Sequence, residues 1–128
     1  MAGQAQALCR RAEELAEENA RTYATVLRAL AKRGSSNLGA KLERAAETPL
    51  RIAEVANDIA MLAREVAGLC EPRVSADALA AASLAAGAAG AAAELVASNL
   101  TALEGDERVA RANALAASAR RSAGAGVR

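Results

Sequence analysis

The sequence predicts an all-α protein, an antiparallel bundle of three long helices and a short C-terminal one. Apolar residues recur at intervals of three and four along most of the chain, which is the spacing of one helix face. No stretch alternates between apolar and polar residues as a half-buried strand would. Hydrophobic residues make up 53% of the chain, but alanine supplies much of that share and Tyr23 is the one aromatic residue. The predicted core is therefore thin.

The first helix is predicted from about Gly3 to Lys32. An apolar stripe runs along one face, and its members are Leu8, Ala12, Leu15, Asn19, Tyr23 or Thr22, Val26 and Leu30. Charged residues occupy the opposite face. Asn19 interrupts the stripe, and two interpretations stay open. It either fixes the register between packed helices or points a polar group into a cleft.

The second helix is predicted from about Leu38 to Leu69, after a turn at Gly34-Ser35-Ser36-Asn37. It has two apolar faces, so it should contact two different neighbours. One face is a seam of larger residues, Ile52, Val55, Ile59, Leu62, Val66 and Leu69. The other is a stripe of mostly alanine, Ala45, Pro49, Ala53, Ala56, Ala60, Ala63 and Ala67. Pro49 predicts that the helix bends or restarts near Thr48.

The third helix, Val74–Leu103, is predicted to be the buried centre of the bundle, with Ser75 as its N-cap. No residue from Ala78 to Ala93 carries a charge. A helix that is small and apolar on every side has no face for solvent, so other elements must surround it. A membrane span is the alternative, but the uncharged run is shorter than the roughly 18 residues that a span requires. Ala78–Ala93 is therefore predicted to be the most buried segment.

A short last helix is predicted after Glu104-Gly105-Asp106, with Asp106 as its N-cap. Its apolar face consists of Val109, Ala112 or Asn113, and Leu115 or Ala116. Residues 123–128 include two glycines and are expected to form a disordered tail. Residues 1–122 are then a single helical domain.

Charge and composition argue against several classes of partner and site. The net charge is +1, from 16 basic and 15 acidic residues that interleave along the chain, so no nucleic-acid partner is predicted. The chain has no histidine, which removes the commonest metal ligand, and no metal site is predicted. Cys9 and Cys70 share no motif spacing, and the N-terminus shows no targeting segment. Together these features favour a reduced, cytoplasmic protein without a membrane partner.

Three segments carry a resemblance to a known family. The first is Ala45-Ala46-Glu47-Thr48-Pro49-Leu50-Arg51-Ile52-Ala53-Glu54, a proline-containing helix. The second begins with Ala76-Asp77-Ala78, continues through alanine and glycine, and ends near Asn99-Leu100. The third is the acidic cluster Glu17-Glu18-Asn19-Ala20, followed by the aromatic Tyr23. Together they resemble the formiminotransferase-cyclodeaminase and methenyltetrahydrofolate cyclohydrolase family over nearly the whole chain.

The resemblance implies folate one-carbon chemistry on an all-helical, dimeric protein, with a tetrahydrofolate derivative as substrate and no metal. Family members either close 5-formiminotetrahydrofolate with loss of ammonia or hydrolyse the 5,10-methenyl form. Both reactions need a proton acceptor and a proton donor, and carboxylates can serve as either. The catalytic residues implied are Glu17, Glu18 and Asp77. The substrate-binding residues implied are Asn19, Tyr23 and Asn99.

The chain also departs from the family pattern. Family enzymes begin with about two further helices joined by a proline- and glycine-rich loop, and nothing in this sequence corresponds to them. Asn19 stands at the family's second acidic position, and Leu95 replaces an asparagine expected one turn before Asn99. Two functions therefore stay open. One is a folate-dependent cyclodeaminase or cyclohydrolase, and the other is a noncatalytic helical interaction or structural protein of the same fold.

The apolar faces outnumber the helices available to cover them, which predicts association. The second helix is apolar on two faces and the third on all of them. We therefore expect a homodimer in which the first or the central helix packs against its counterpart across a two-fold axis. The expected interface is mostly Ala, Leu and Val and buries more than about 1,200 Å² in total.

Overall fold

The helical periodicity of the sequence is realised as five helices in a computed structural model that describes residues 1–32, 34 and 37–124. The helices are α1 (Ala2–Ala31), α2 (Leu38–Ala45), α3 (Glu47–Leu69), α4 (Pro72–Asn99) and α5 (Glu107–Gly124). Because the described residues contain no strand, the predicted all-α bundle is confirmed. Ser35 and Ser36 of the predicted turn lie outside the described residues.

The predicted second helix is divided into α2 and α3 at a single residue, Ala46. Ala46 keeps right-handed helical backbone angles, with φ −75° and ψ −22°, so the chain continues in nearly the same direction. Pro49 is the third residue of α3, a position whose backbone N–H normally has no partner within its own helix. The predicted restart of the helix near Thr48 is therefore confirmed.

The core of the bundle is built largely from alanine on α3, α4 and α5. Buried alanines from the three helices form one cluster, completed by Leu50, Val96 and Leu100. The predicted seam of larger residues on α3 is less buried than the alanine stripe. Leu62 is 8% exposed, whereas Ile59 and Val66 are half-buried and Leu69 is 71% exposed. Small side chains bring the α3 and α4 backbones close together, and the larger residues lie at the edge of that contact.

The prediction that α4 is buried on every side is wrong for the single chain. Leu84 is 78% exposed, and Gly87, Ala88 and Ala91 are also exposed. The physical reason is that α3 and α5 cover one side of α4, while α1 does not reach the other. No Cα atom of α1 lies within 8 Å of a Cα atom of α4.

The predicted ends of α4 also need correction. The helix begins at Pro72 and ends at Asn99, whereas the sequence suggested Val74–Leu103. Ser75 lies inside the helix, and Glu71 occupies the N-cap position without a side-chain capping bond. Proline suits the first helical position because its fixed φ angle is helical and its missing N–H has no role there.

A groove runs between α1 and α4, with α3 as its floor. The order of the residues that line it shows that α1 and α4 run parallel to each other and antiparallel to α3. Near the N-termini of α1 and α4 the groove is apolar, has a volume of about 400 Å³, and contains Leu8, Ile59, Leu62 and Val66. The groove exists because α1 packs against α3 but does not contact α4.

One described helix, α4, is long and apolar enough to cross a membrane by length and composition alone. Its most apolar 18-residue window has a mean hydropathy of 1.6, and 39% of that window is buried within the protein. The core helix of a water-soluble protein passes the same test, so this finding does not by itself assign α4 to a membrane. The expected absence of a membrane partner stays a prediction.

Asp106 caps α5, as the sequence predicts, and Arg108 joins that cap to α2 and α3. The backbone N–H of Arg108 donates to Asp106 Oδ1 at 2.9 Å. The Arg108 guanidinium contacts Asp106 Oδ2 at 2.9 Å, Glu47 Oε1 at 3.0 Å and Glu43 Oε1 at 3.2 Å. Hydrogen bonds from Arg108 hold the pKa of Asp106 below its ordinary value. The start of α5 is thereby attached to the α2–α3 junction.

The end of α5 extends further than the sequence suggests. Ala123 and Gly124 belong to the helix, so the predicted tail starts too early. Ala119 is fully buried against the core, which supports helix at this end of the chain. The rest of the predicted tail, residues 125–128, lies outside the described residues.

The Asp106–Arg108 contact predicts a dependence of stability on pH. Because the pKa of Asp106 is lower in the folded protein, the contact stabilises the fold above the unfolded-state pKa of about 3.9. That stabilisation is lost as the pH falls further, through the folded-state pKa. In Asp106→Asn the free energy of unfolding, measured by urea denaturation from pH 7 to pH 2, should fall less steeply below about pH 4. The exposed Asp58→Asn should retain the wild-type slope, and equal slopes in all three proteins would contradict the prediction.

Candidate functional site

The polar end of the groove is a pocket that we call the Asn19 pocket. Its lining residues are Asn19 and Tyr23 from α1, Ala45 and Pro49 from the α2–α3 junction, and Leu95, Ser98 and Asn99 from α4. Its volume is about 170 Å³. The three predicted substrate-binding residues, Asn19, Tyr23 and Asn99, therefore lie together, although they are distant in sequence. Asn19 thus faces a cleft, which is one of the two interpretations that the sequence left open for it.

A hydrogen bond between α4 and the α2–α3 junction forms the base of the pocket. In a continuous helix the carbonyl oxygen of Ala45 would accept a bond from the N–H of residue 49. That residue is Pro49, which has no N–H. Asn99 supplies the missing donor, since its Nδ2 donates to the Ala45 carbonyl oxygen at 3.3 Å. The proline therefore creates a polar backbone group that the end of α4 satisfies.

Glu18 lies beside the pocket and contacts α3. Thr48, which is 2% exposed, donates from Oγ1 to Glu18 Oε1 at 3.3 Å. Arg51 Nη1 lies 3.7 Å from the same oxygen. Because adjacent residues of a helix point roughly 100° apart, Glu18 faces α3 while Asn19 faces the pocket. Glu18 therefore helps to hold α1 against α3, and its carboxylate does not line the pocket.

The other two predicted catalytic carboxylates lie away from the pocket. Glu17 is exposed and pairs with Arg21 at 3.7 Å on the solvent side of α1. Asp77 is exposed near the start of α4. It lies ~33 Å along the helix axis from Asn99, because each helical residue advances about 1.5 Å. Within the part of the chain that the structure describes, no Asp or Glu lines the Asn19 pocket.

Several residues of the site were not named as site residues from the sequence. Thr48 and Pro49 belong to the segment on which the family resemblance depends, but their roles as the partner of Glu18 and as a wall of the pocket were missed. The signal was present, since a proline inside a helical pattern leaves one carbonyl without its donor. Ser98 is a polar residue next to Asn99 that also lines the pocket.

The side chains of the described residues that could bind a metal ion are dispersed over the structure. Across residues 1–32, 34 and 37–124, no three His, Cys, Asp or Glu side chains lie close enough to hold a metal ion together. The sequence-based expectation that the protein needs no metal stays a prediction.

The hydrogen bond from Asn99 to Ala45 predicts a measurable coupling with Pro49. Asn99→Ala should reduce the free energy of unfolding by about 1 kcal/mol, because a carbonyl loses its donor. In a Pro49→Ala background the restored N–H can bond the Ala45 carbonyl, so Asn99→Ala should cost about 0.5–1 kcal/mol less. Urea unfolding of the four proteins measures this difference.

The control for this double-mutant cycle of Asn99 and Pro49 is Asn113→Ala, which removes an exposed asparagine on α5. It should change the free energy of unfolding by less than about 0.5 kcal/mol in either background. Effects of Asn99→Ala and Pro49→Ala that add to within about 0.3 kcal/mol would contradict the proposed exchange of donors.

Comparison with known proteins assigns the chain to a family. A sequence model of formiminotransferase-cyclodeaminase matches residues 1–118, which is most of the chain. Searches among curated proteins and among solved structures find no match. The match covers all the residues of the Asn19 pocket, together with Glu17, Glu18 and Asp77. The chain therefore belongs to the formiminotransferase-cyclodeaminase family.

Proposed function

We propose that this member of the formiminotransferase-cyclodeaminase family binds a reduced folate in the Asn19 pocket and acts in one-carbon metabolism as a cyclodeaminase or cyclohydrolase. One observation carries the proposal. Asn19, Tyr23 and Asn99, the three residues that the family resemblance implies bind the substrate, line one pocket. Positions singled out from separate stretches of sequence thus converge on one concave surface.

The size and chemistry of the pocket suit part of a folate molecule. Sites for drug-sized ligands usually measure about 300–1,000 Å³, so the Asn19 pocket alone accepts one ring system. The amides of Asn19 and Asn99 offer donors and acceptors for the polar edge of a pterin, and the ring of Tyr23 offers a stacking surface. The rest of the folate would lie in the adjoining groove, whose next section contains Ile52 and Ile59.

The proposed reactions require a proton to move. In ring closure, N10 of the folate attacks the carbon of the protonated formimino group. The bond from that carbon to its terminal nitrogen breaks, and this nitrogen leaves as ammonia with the proton lost from N10, which gives the methenyl cation. In cyclohydrolysis, water adds to the methenyl carbon and one bond from that carbon to a folate nitrogen breaks. One proton of the water passes to the released nitrogen and the other is given up. Glu18 is the candidate for this transfer because it adjoins Asn19, whereas Asp77 is ~33 Å from Asn99 along α4. To reach the pocket, its carboxylate must leave Thr48 and Arg51.

A noncatalytic role is the second candidate, and one observation favours it. None of Glu17, Glu18 and Asp77 lines the pocket in the described chain. A bundle that keeps the folate pocket without a proton-transfer group would bind a folate, or a partner helix, and not convert it. The two candidates therefore differ in turnover.

Binding and turnover measurements separate the two candidates. Calorimetry with 5-formyltetrahydrofolate should show binding. Asn19→Leu should weaken it by about two- to tenfold, since one hydrogen bond contributes about 0.5–1.5 kcal/mol. Asn113→Leu is the matched control and should bind like the wild type. Release of ammonia from 5-formiminotetrahydrofolate, or hydrolysis of the methenyl form, supports the enzyme, whereas binding without turnover supports the noncatalytic role. No binding would contradict the folate proposal.

We also propose that two copies of the chain form a homodimer through the exposed face of α4. That face consists mainly of small apolar residues. Its most exposed large residue is Leu84, which is 78% exposed. It continues into the groove beside α1, which is apolar as well. A contiguous exposed apolar patch often marks a protein–protein contact site. The sequence predicts that the first or the central helix packs against its counterpart, and the exposed apolar face favours the central helix, α4.

The proposed dimer predicts that a charge on α4 prevents association. Leu84→Glu should shift the sedimentation coefficient from dimer to monomer at micromolar concentration, because an unpaired charge would be buried in the interface. Met61→Glu is the control, since Met61 is 53% exposed on α3 and does not line the groove. Wild-type unfolding should depend on protein concentration. A folded wild-type monomer at micromolar concentration would contradict the proposal.

The cysteines fit a proposed cytoplasmic setting. Cys9 is exposed and Cys70 is half-buried, and neither forms a disulfide. Free thiols are usual where glutathione keeps proteins reduced. A nucleic-acid or membrane partner forms no part of the proposal.

A further inference from the structure

A second cleft, between α1 and α2, contains three cationic side chains. It is lined by Arg21, Thr22 and Thr25 from α1 and by Lys41 and Arg44 from α2, and its volume is about 280 Å³. Lys41, Thr22 and Thr25 are half-buried, so the cleft has polar walls as well as an opening to solvent. We call it the α1–α2 cleft.

The α1–α2 cleft is separate from the Asn19 pocket. Arg21 and Thr25 each follow a pocket residue, Asn19 and Tyr23, by two positions on α1. Two helical positions rotate a side chain by roughly 200°, which places these pairs on opposite flanks of the helix. A ligand of the cleft therefore contacts different side chains from the folate proposed for the other flank.

Of the three cations of the cleft, Arg21 pairs with a carboxylate among the described residues, whereas Lys41 and Arg44 do not. Glu43 and Glu47 contact Arg108 at 3.2 and 3.0 Å, on the side of α5. Glu18 contacts Arg51. Glu17 alone reaches a cation of the cleft, Arg21, through an exposed pair at 3.7 Å. Among the described residues, no carboxylate lies within 4.0 Å of the charged groups of Lys41 or Arg44.

The cations, and not the hydroxyl groups, are the available binding groups. Thr22 Oγ1 donates to the carbonyl oxygen of Glu18 at 2.9 Å, and Thr25 Oγ1 donates to that of Arg21 at 3.3 Å. Both hydroxyl protons are therefore used within α1. Arginine binds phosphate and carboxylate oxygens through paired N–H groups, and lysine adds a point charge. Three such groups on two helices match a ligand with more than one negative charge.

We propose that the α1–α2 cleft binds an oxyanion with at least two negative charges, through Arg21, Lys41 and Arg44. Its ligand is a phosphoryl group or a pair of carboxylates, which share this chemistry. Bound there, the anion joins the second half of α1 to α2 and reduces the repulsion between their cations. This site goes beyond the proposed folate function and does not depend on it.

The test is an NMR titration of the ¹⁵N-labelled full chain without folate, at constant ionic strength set with sodium chloride. Inorganic phosphate, pyrophosphate and succinate are added separately. Saturable amide shifts should appear in residues 21–25 and 38–45 when pyrophosphate or succinate is added, although chloride is present throughout. A preference for pyrophosphate identifies a phosphoryl ligand, and a preference for succinate identifies a dicarboxylate. Absence of saturable shifts in these residues for all three anions would overturn the proposal.

Variants that remove equal charge test whether Arg21, Lys41 and Arg44 bind the anion. The pair Lys41→Gln and Arg44→Gln should weaken binding at least tenfold, and Arg21→Gln on α1 should weaken it independently. The pair Arg73→Gln and Arg121→Gln removes the same charge from exposed positions on α4 and α5 and should leave binding unchanged. Equal weakening by both double variants would show a general charge effect and overturn the assignment. Far-ultraviolet circular dichroism of each variant monitors the helical fold.

Discussion

The carbonyl oxygen of Ala45 is the constraint on which the arrangement of the candidate site depends. Pro49 removes its helical donor, and Asn99 supplies another from the last residue of α4. This single bond sets the end of α4 against the junction of α2 and α3. Arg108 attaches the start of α5 to the same junction through Glu43 and Glu47. The polar contacts of three helices therefore meet around one proline, beside the Asn19 pocket.

The alanine core explains why the groove exists. Helices that meet through alanine approach closely, and α3, α4 and α5 do so along their buried faces. The larger residues of α3, such as Ile59 and Val66, are left at the margin of this contact. There α1 packs on α3 without reaching α4. The gap is apolar where these aliphatic residues line it and polar where Asn19 and Asn99 do.

The sequence predicted the helices better than it predicted burial, and it singled out Asn19, Tyr23 and Asn99, which line one pocket, together with three carboxylates that do not. Pro49 predicted the helix restart near Thr48, and the turn before α5 predicted the cap at Asp106, because both features depend on neighbouring residues. Periodicity identified apolar faces but not the neighbour that covers each one, so the burial of the seam containing Ile59 was overestimated. Glu18 and Asn19 are adjacent in sequence, but helix geometry turns one towards α3 and the other into the pocket. The sequence could not predict which residue donates to the Ala45 carbonyl, because the two groups meet only through a tertiary contact.

The attachment of α1 links the fold to the proposed chemistry. Of the residues of this long helix, Leu15, Val26 and Ala29 are buried, so apolar burial holds it weakly. Glu18 adds a polar attachment through Thr48 and Arg51, and this attachment positions Asn19 and Tyr23. A catalytic Glu18 would have to leave those partners, and α1 would lose part of its hold on α3. Positioning the pocket and moving a proton therefore compete for one carboxylate, unless the groove beside α1 is filled and holds the helix in place.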